Sequence, residues 1–282
     1  MLQDLPGGRL LNEFRNPAPK PEDVVICFRD DQVLVYRDED NSLWLPTAGE
    51  FDIDIGNAWG EQPLQYAFRL QKRNFYLFLG DAKAFGPYME EPVRTLRQLQ
   101  SKEVCFAVMT AWHLYCWYRN NRFCGCCGNP TRHDDKERML RCDRCGNMIF
   151  PKISPAVIIA VTDGDKLLLS KYAGRAYTRY ALLAGYTEIG ETLEQTVHRE
   201  VMEEVGLKVK NLRYYKSQPW GVDGNVLMGF YCDLEGDGTI HLNENELAMA
   251  DWYDRYDLPA QDDGISLTRE MIRVFSEGKE PK

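Results

Sequence analysis

The chain has 282 residues, 44% of them hydrophobic and 12% aromatic, and a net charge of −9. That length suits two domains, or three if one is small, and the acidic balance argues against a general nucleic-acid or membrane surface while leaving room for a local cationic pocket. No apolar run approaches the roughly 20 residues that span a bilayer and MLQDLPGG lacks the basic and apolar regions of a secretion leader, so a soluble, cytoplasmic protein with no membrane partner is expected.

Residues 1 to about 90 alternate short apolar runs with turn signals. VVICF, QVLVY and SLWLP read as strands separated by RDD and RDEDN, and AFRLQ and FYLFL continue the β character. From about Pro92 to Asn121 the spacing turns helical, with Leu96, Val104, Val108, Trp112 and Cys116 or Trp117 as inward positions. Residues 1–120 are therefore expected to form a small β-rich domain ending in a helix.

Cysteine spacing then dominates. Cys124, Cys127, Cys142 and Cys145 form two C-x₂-C pairs, each followed by a glycine, Gly128 or Gly146. Four thiolates so paired fit a tetrahedral Zn²⁺ and fill it, which points to structural rather than catalytic zinc. Two disulfides are the alternative, disfavoured in a reducing compartment. Cys126 breaks the spacing and reads as a bystander, whereas Cys27, Cys105, Cys116 and Cys232 sit in apolar surroundings as ordinary buried thiols. Residues 121–150 are read as a zinc ribbon.

The last unit, 151–282, opens at Pro151 and Pro155. Asp163-Gly164 marks a hairpin between two apolar strands, and YALLAGY is a strand leading into GYTEIGETLEQTVHREVMEEVGL. There Glu200, Glu203 and Glu204 stand at helical spacings of three and four, on one face. Three like charges on one face repel unless a cation sits among them, and oxygen ligands suit a hard divalent metal. On the other face Leu193, Val197, Val201 and Val205 form a core stripe. Thr192 with Gln195 suits a capping box, and Gly206 a left-handed stop. NLRYYKSQ, VLMGFYCDL and TIHL read as further strands, and Ser266–Ser276 as a closing helix. This order gives a mixed α/β sandwich. The four histidines form no cluster, and none is assigned a catalytic role.

Gly185, Glu191, Arg199, Glu200, Val201, Glu203, Glu204, Gly206 and Leu207 together resemble the signature of the Nudix hydrolases, matching every fixed position. The resemblance implies an α/β (α+β) chain with a Nudix α/β/α sandwich at its C-terminus, behind the ribbon and the β-rich domain. It also implies a loop–helix–loop that binds Mg²⁺ or Mn²⁺ and hydrolyses a nucleoside diphosphate linked to another group. The ribbon beginning FCGCCG and the tetrapeptide Ser217-Gln218-Pro219-Trp220 further resemble the NADH pyrophosphatase branch. That branch continues with PFPxS, whereas Trp220 is followed here by Gly221, Val222, Asp223, Gly224 and Asn225. Two glycines without proline make a less rigid loop.

Carried over residue by residue, the resemblance makes Glu200 and Glu204 principal metal ligands, with Glu246 a third carboxylate from outside the helix and Ala184 a backbone carbonyl donor. Glu203 ligates a second metal or orients the attacking water, and Arg199 holds the glutamates through charge-assisted bonds. Gln218, Pro219 and Trp220 are implied substrate contacts, with Trp220 supplied by the partner of a homodimer. Phe150 matches an adenine-stacking aromatic, with core packing the alternative. Glu137 and Thr268 match further contact positions, and Arg94 or Arg97 is a candidate for a phosphate. The implied reaction cleaves NAD(H) to nicotinamide mononucleotide and AMP, or removes an NAD cap from the 5′ end of RNA. Hydrolysis of ADP-ribose or another ADP-linked compound is a second reading. A non-catalytic nucleotide sensor is the third, disfavoured by the intact set of carboxylates.

Overall fold

The computed structural model describes residues 1–51, 56–59, 63–94, 96, 101–174, 179–259 and 264–282. Arg97, a candidate phosphate contact, lies outside them. The chain divides into two compact units. One comprises Met1, Ile153–Pro219 and Asn225–Lys282, and the other Leu2–Lys152 with Trp220–Gly224.

The second of these is β-rich. Its strands are β1 (Leu10–Leu11), β2 (Val24–Ile26), β3 (Phe28–Arg29), β4 (Gln32–Arg37), β5 (Leu43–Trp44), β6 (Gly56–Ala58), β7 (Leu64–Leu70), β8 (Arg73–Phe78), β9 (Gly80–Ala82) and β10 (Met89–Pro92). Among the described residues they form a sheet ordered β1-β7-β8-β2, another ordered β10-β4-β3 with β5 beside β4, and the pair β6-β9. Helix α1 (Lys102–Asn120) follows, and Ser101 caps it by accepting the Val104 N–H. It starts later than the apolar spacing from Pro92 predicts, because Pro92 ends the edge strand β10 opposite Gln32, a place proline tolerates. Leu96 and Val108 are buried as expected, and so is most of the circumference of α1. Three two-residue strands, β11 (Arg132–His133), β12 (Leu140–Arg141) and β13 (Met148–Ile149), make a small antiparallel sheet carrying the cysteine knuckles.

The other unit is an α/β/α sandwich. Its strands are β14 (Ser154–Asp163), β15 (Lys166–Tyr172), β16 (Leu183–Tyr186), β17 (Lys208–Trp220), β18 (Asn225–Glu235) and β19 (Leu247–Asp254), with helices α2 (Leu193–Val205) and α3 (Leu267–Ser276). The order is β17-β18-β14-β15-β19, with β16 pairing the first half of β14. β14 runs parallel to β18 and turns into β15 at Asp163↔Lys166. Side chains alternate across a strand. Val157, Ile159 and Val161 accordingly join Val197, Val201 and Val205 of α2 in one core, while Ile158 and Ala160 join Leu267, Met271 and Phe275 of α3 in another. The valine stripe read from the sequence is the buried face of α2. Residues 239–242, read as a strand, form none. Ile240 and Leu242 still pack on the α2 core, and the backbone N–H groups of His241 and Asn243 donate to the Val205 and Glu204 carbonyls at 2.9 Å each. The alternation there serves a segment that satisfies the C-terminal carbonyls of α2.

Candidate active site and zinc ribbon

The glutamate-bearing helix begins as its sequence predicts. Thr192 Oγ1 accepts from the Gln195 N–H at 3.2 Å, and Gln195 Oε1 accepts from the Thr192 N–H at 2.8 Å. Gly206 ends it with φ 69°, in the left-handed region. Arg199 is the hub of the face that results. Its Nε and Nη2 donate to the two carboxylate oxygens of Glu191 at 2.6 and 3.0 Å, and its Nη1 donates to Glu200 Oε1 at 2.8 Å and Glu203 Oε2 at 3.0 Å. Nη2 also donates to the Tyr186 carbonyl at 2.9 Å, tying the loop to the helix. The Thr196 hydroxyl adds a bond to Glu191 at 3.1 Å. Thr196 is not among the residues expected from the sequence, where its only signal is a hydroxyl five positions after Glu191.

These bonds set the electrostatics. The Arg199 guanidinium, then the Glu188 N–H and Thr196, hold the Glu191 carboxyl down to about 2. Arg199 itself is pushed up, first by its bonds to Glu191 and then by Glu200 and Glu203. Glu200 is pushed the other way from Glu191. Burial raises it, and the charges of Glu203 and Glu246 add to that, against the pull of Arg199.

Glu200 and Glu204 are buried, at 8% and 3% exposure, while the Glu203 side chain is half-exposed. Glu246 immediately precedes β19, and its carbonyl accepts from the Ala173 N–H at 2.9 Å. Ala184 lies on β16 opposite Ile158. The next residue, Gly185, abuts Glu200 so closely that a Cβ there would strike the carboxylate. Hard oxygen donors on one helix face suit a divalent cation. They are not drawn together as tightly as thiols. Among the described residues, the four cysteines are the one group of three or more potential ligands whose atoms lie within 4.8 Å of one another.

Other sequence-predicted residues are scattered in character. Gln218 is completely buried. Its amide donates to the Ile265 carbonyl and accepts from the Leu267 N–H, both at 2.7 Å, so it anchors the start of α3. Thr268 is the second residue of that helix and half-buried, and Pro219 is exposed. Trp220 is half-buried, and its indole N–H donates to Asp223 Oδ2 at 3.0 Å. Arg94 donates to the same carboxylate, at 2.8 Å to Oδ1. Phe150 is 53% exposed, which removes the core-packing alternative for its ring. Glu137 is exposed.

In the ribbon, Cys124 and Cys145 Sγ lie 3.6 Å apart, and Cys127 and Cys142 Sγ 3.5 Å apart. A tetrahedron with Zn–S bonds of about 2.3 Å has S···S edges of about 3.8 Å, so the cluster fits zinc. Gly128 and Gly146 take φ 71° and 74°, closing each knuckle through N–H bonds to the Cys124 and Cys142 carbonyls. Thiolate character is favoured at Cys124, which the Cys126 N–H brings down to about 6, and at Cys142, lowered first by the Cys145 N–H. Cys126 is exposed and outside the cluster.

The NUDIX domain model matches residues 152–275, and the NADH pyrophosphatase zinc ribbon domain model matches 119–150. The NAD-capped RNA hydrolase NudC of Mannheimia succiniciproducens is 41% identical over 240 residues, covering 80% of this chain and 89% of that protein. The protein of the same name from Klebsiella pneumoniae (strain 342) is 42% identical over 157 residues, 55% of this chain and 60% of the relative. The chain thus spans about 60% of the length of the Klebsiella relative. A crystal structure of a NUDIX hydrolase from Nitrosomonas europaea aligns with TM-score 0.48 and 23% identity, covering 55% of this chain and 91% of that one. The chain belongs to the Nudix family, in the group that carries the NADH pyrophosphatase zinc ribbon. The ribbon and its four cysteines define a structural zinc site, and the Nudix domain implies a divalent metal.

Proposed function

We propose that this protein hydrolyses the diphosphate bond of NAD(H), releasing nicotinamide mononucleotide and AMP, and cuts the same bond where NAD caps the 5′ end of an RNA. The gathering on Arg199 of Glu191 from the preceding loop with Glu200 and Glu203 of α2 carries the reading. The relatives are NAD-capped RNA hydrolases by name, which supports the substrate.

In this reading Mg²⁺ or Mn²⁺ is held by Glu200, Glu203, Glu204 and Glu246 with the Ala184 carbonyl. Bound there, the metal would supply charge neutralisation at the diphosphate oxygens and a more acidic water. Glu203, the most exposed carboxylate of the helix face, accepts the proton of the attacking water. Arg199 fixes the orientation of Glu200 and Glu203 throughout. Phe150 offers its exposed ring to adenine, while Trp220, Pro219, Glu137 and Thr268 contact other parts of the dinucleotide. Gln218 acts through the start of α3. The working protein is a cytoplasmic homodimer, each chain organised as 1–120, 121–150 and 151–282.

Incubation with NADH, NAD⁺, ADP-ribose and NAD-capped RNA, each with Mg²⁺ or Mn²⁺, tests the reading when products are resolved by chromatography. AMP with nicotinamide mononucleotide from NADH or NAD⁺ is expected. AMP from ADP-ribose alone would keep the chemistry and overturn the substrate, and no turnover of any compound would favour a sensor.

A further inference from the structure

The segment after β17 carries two glycines and no proline, yet it is not left to wander. A Cβ at Gly221 would collide with the Met109 carbonyl of α1, so only glycine lets the backbone lie there. Gly224 takes φ 67° beside the His113 ring, and that ring is held at 2.7 Å by the Lys152 carbonyl. Between the glycines, Asp223 accepts from the Trp220 indole N–H at 3.0 Å and from Arg94 at 2.8 Å. An indole has one donor and no acceptor, so this bond selects the rotation of the ring. Arg94 holds the acceptor from the far side and keeps the carboxylate facing the ring.

We infer that Asp223, braced by Arg94, is a positioning residue that fixes the Trp220 indole for substrate recognition. The inference rests on the proposed role of Trp220 as a substrate contact. It assigns Arg94 to the bracing of this loop instead of to a substrate phosphate. The Arg94 side chain is largely exposed and that of Asp223 partly so, so the ion pair adds little to folding, and the variants are expected to fold.

The test compares Asp223→Ala, Asp223→Asn, Arg94→Ala and Trp220→Phe with the unaltered protein. Two readouts are taken on each: kcat and KM for NAD⁺, and the ¹⁵N–¹H signal of the Trp220 indole, identified by its loss in Trp220→Phe. Asp223→Ala should shift that signal, speed its exchange with solvent, and raise KM by about tenfold while kcat changes far less. Asp223→Asn keeps an acceptor oxygen and should hold the signal and most of the KM. Arg94→Ala should fall between them. An unmoved indole signal in Asp223→Ala overturns the inference whether or not NAD⁺ is the substrate. A shifted signal with unchanged KM, in a protein that hydrolyses NAD⁺, overturns the recognition role and leaves the proposed function standing. Failure to turn over NAD⁺, NADH and NAD-capped RNA alike overturns the proposed function and with it the recognition role, while the signal still reports the bond.

Discussion

The Glu200 carboxylate rests directly against the backbone of Gly185, in space that any side chain at 185 would occupy. The two are fifteen positions apart and come together because β16 delivers Gly185 alongside α2. The opening glycine of the signature is thus a requirement of its second glutamate.

Gly185→Ala should displace the Glu200 carboxylate while leaving the valine core of α2 intact. Mn²⁺ affinity, followed by electron paramagnetic resonance, should weaken by about tenfold or more, the usual effect of disturbing a ligand's support. Unchanged affinity would mean that Glu200 is not a ligand.

Arg199→Lys should be as damaging as it looks conservative. One ammonium cannot reproduce the fork that serves Glu191, Glu200, Glu203 and the Tyr186 carbonyl. A kcat about a hundredfold lower is expected, with a lower melting temperature because like charges on α2 lose their common partner.

Much of this site was legible because its spacing rules are local. Glu200, Glu203 and Glu204 share a face by helix period, and both capping-box bonds and the Gly206 stop follow from neighbours in sequence. The cysteine knuckles are local for the same reason. What the sequence hid depends on contacts over distance. The bond from Arg94 to Asp223 joins residues 129 apart, and the inward turn of Gln218 depends on where the start of α3 docks. Residues 239–242 misled because alternation records burial, and the partner that buries Ile240 and Leu242 is the α2 core instead of a neighbouring strand. The delayed start of α1 had the opposite cause. The signal was there, in Ser101 as cap and Pro92 as strand end, but apolar spacing outweighed it.

Cys142→Ser should lower zinc, measured by elemental analysis, from about one ion per chain to near zero, because a Cys₄ site needs all four thiolates. Cys126→Ser should leave zinc content unchanged, as Cys126 lies outside the cluster. Zinc loss in the latter would contradict the assigned ligand set.

Glu270 should make stability depend on acid pH. Burial pushes its carboxyl up, but bonds from Lys216 at 2.6 Å, Tyr215 at 2.7 Å and the Met1 amino group more than offset this and bring it down to about 2. The unfolded value is about 4.3. A carboxyl lowered in the folded state contributes stability that is fully present above the unfolded value and is lost as pH falls through the folded one. Glu270→Gln should therefore cost about 2 kcal/mol at pH 7, allowing for the partial exposure of Lys216. The gap to the unaltered protein should close between about pH 5 and pH 2. Urea unfolding at several pH values measures it, and a gap that stays constant with pH would contradict the assignment.

The proposed function has the carboxylate face of α2 cleave the diphosphate of NAD(H). Its most direct test is the rate of AMP and nicotinamide mononucleotide formation from NAD⁺ by Glu204→Gln beside the unaltered protein, at matched zinc content and melting temperature. A rate lower by about a hundredfold to a thousandfold is expected, with the fold retained. Equal rates would contradict it.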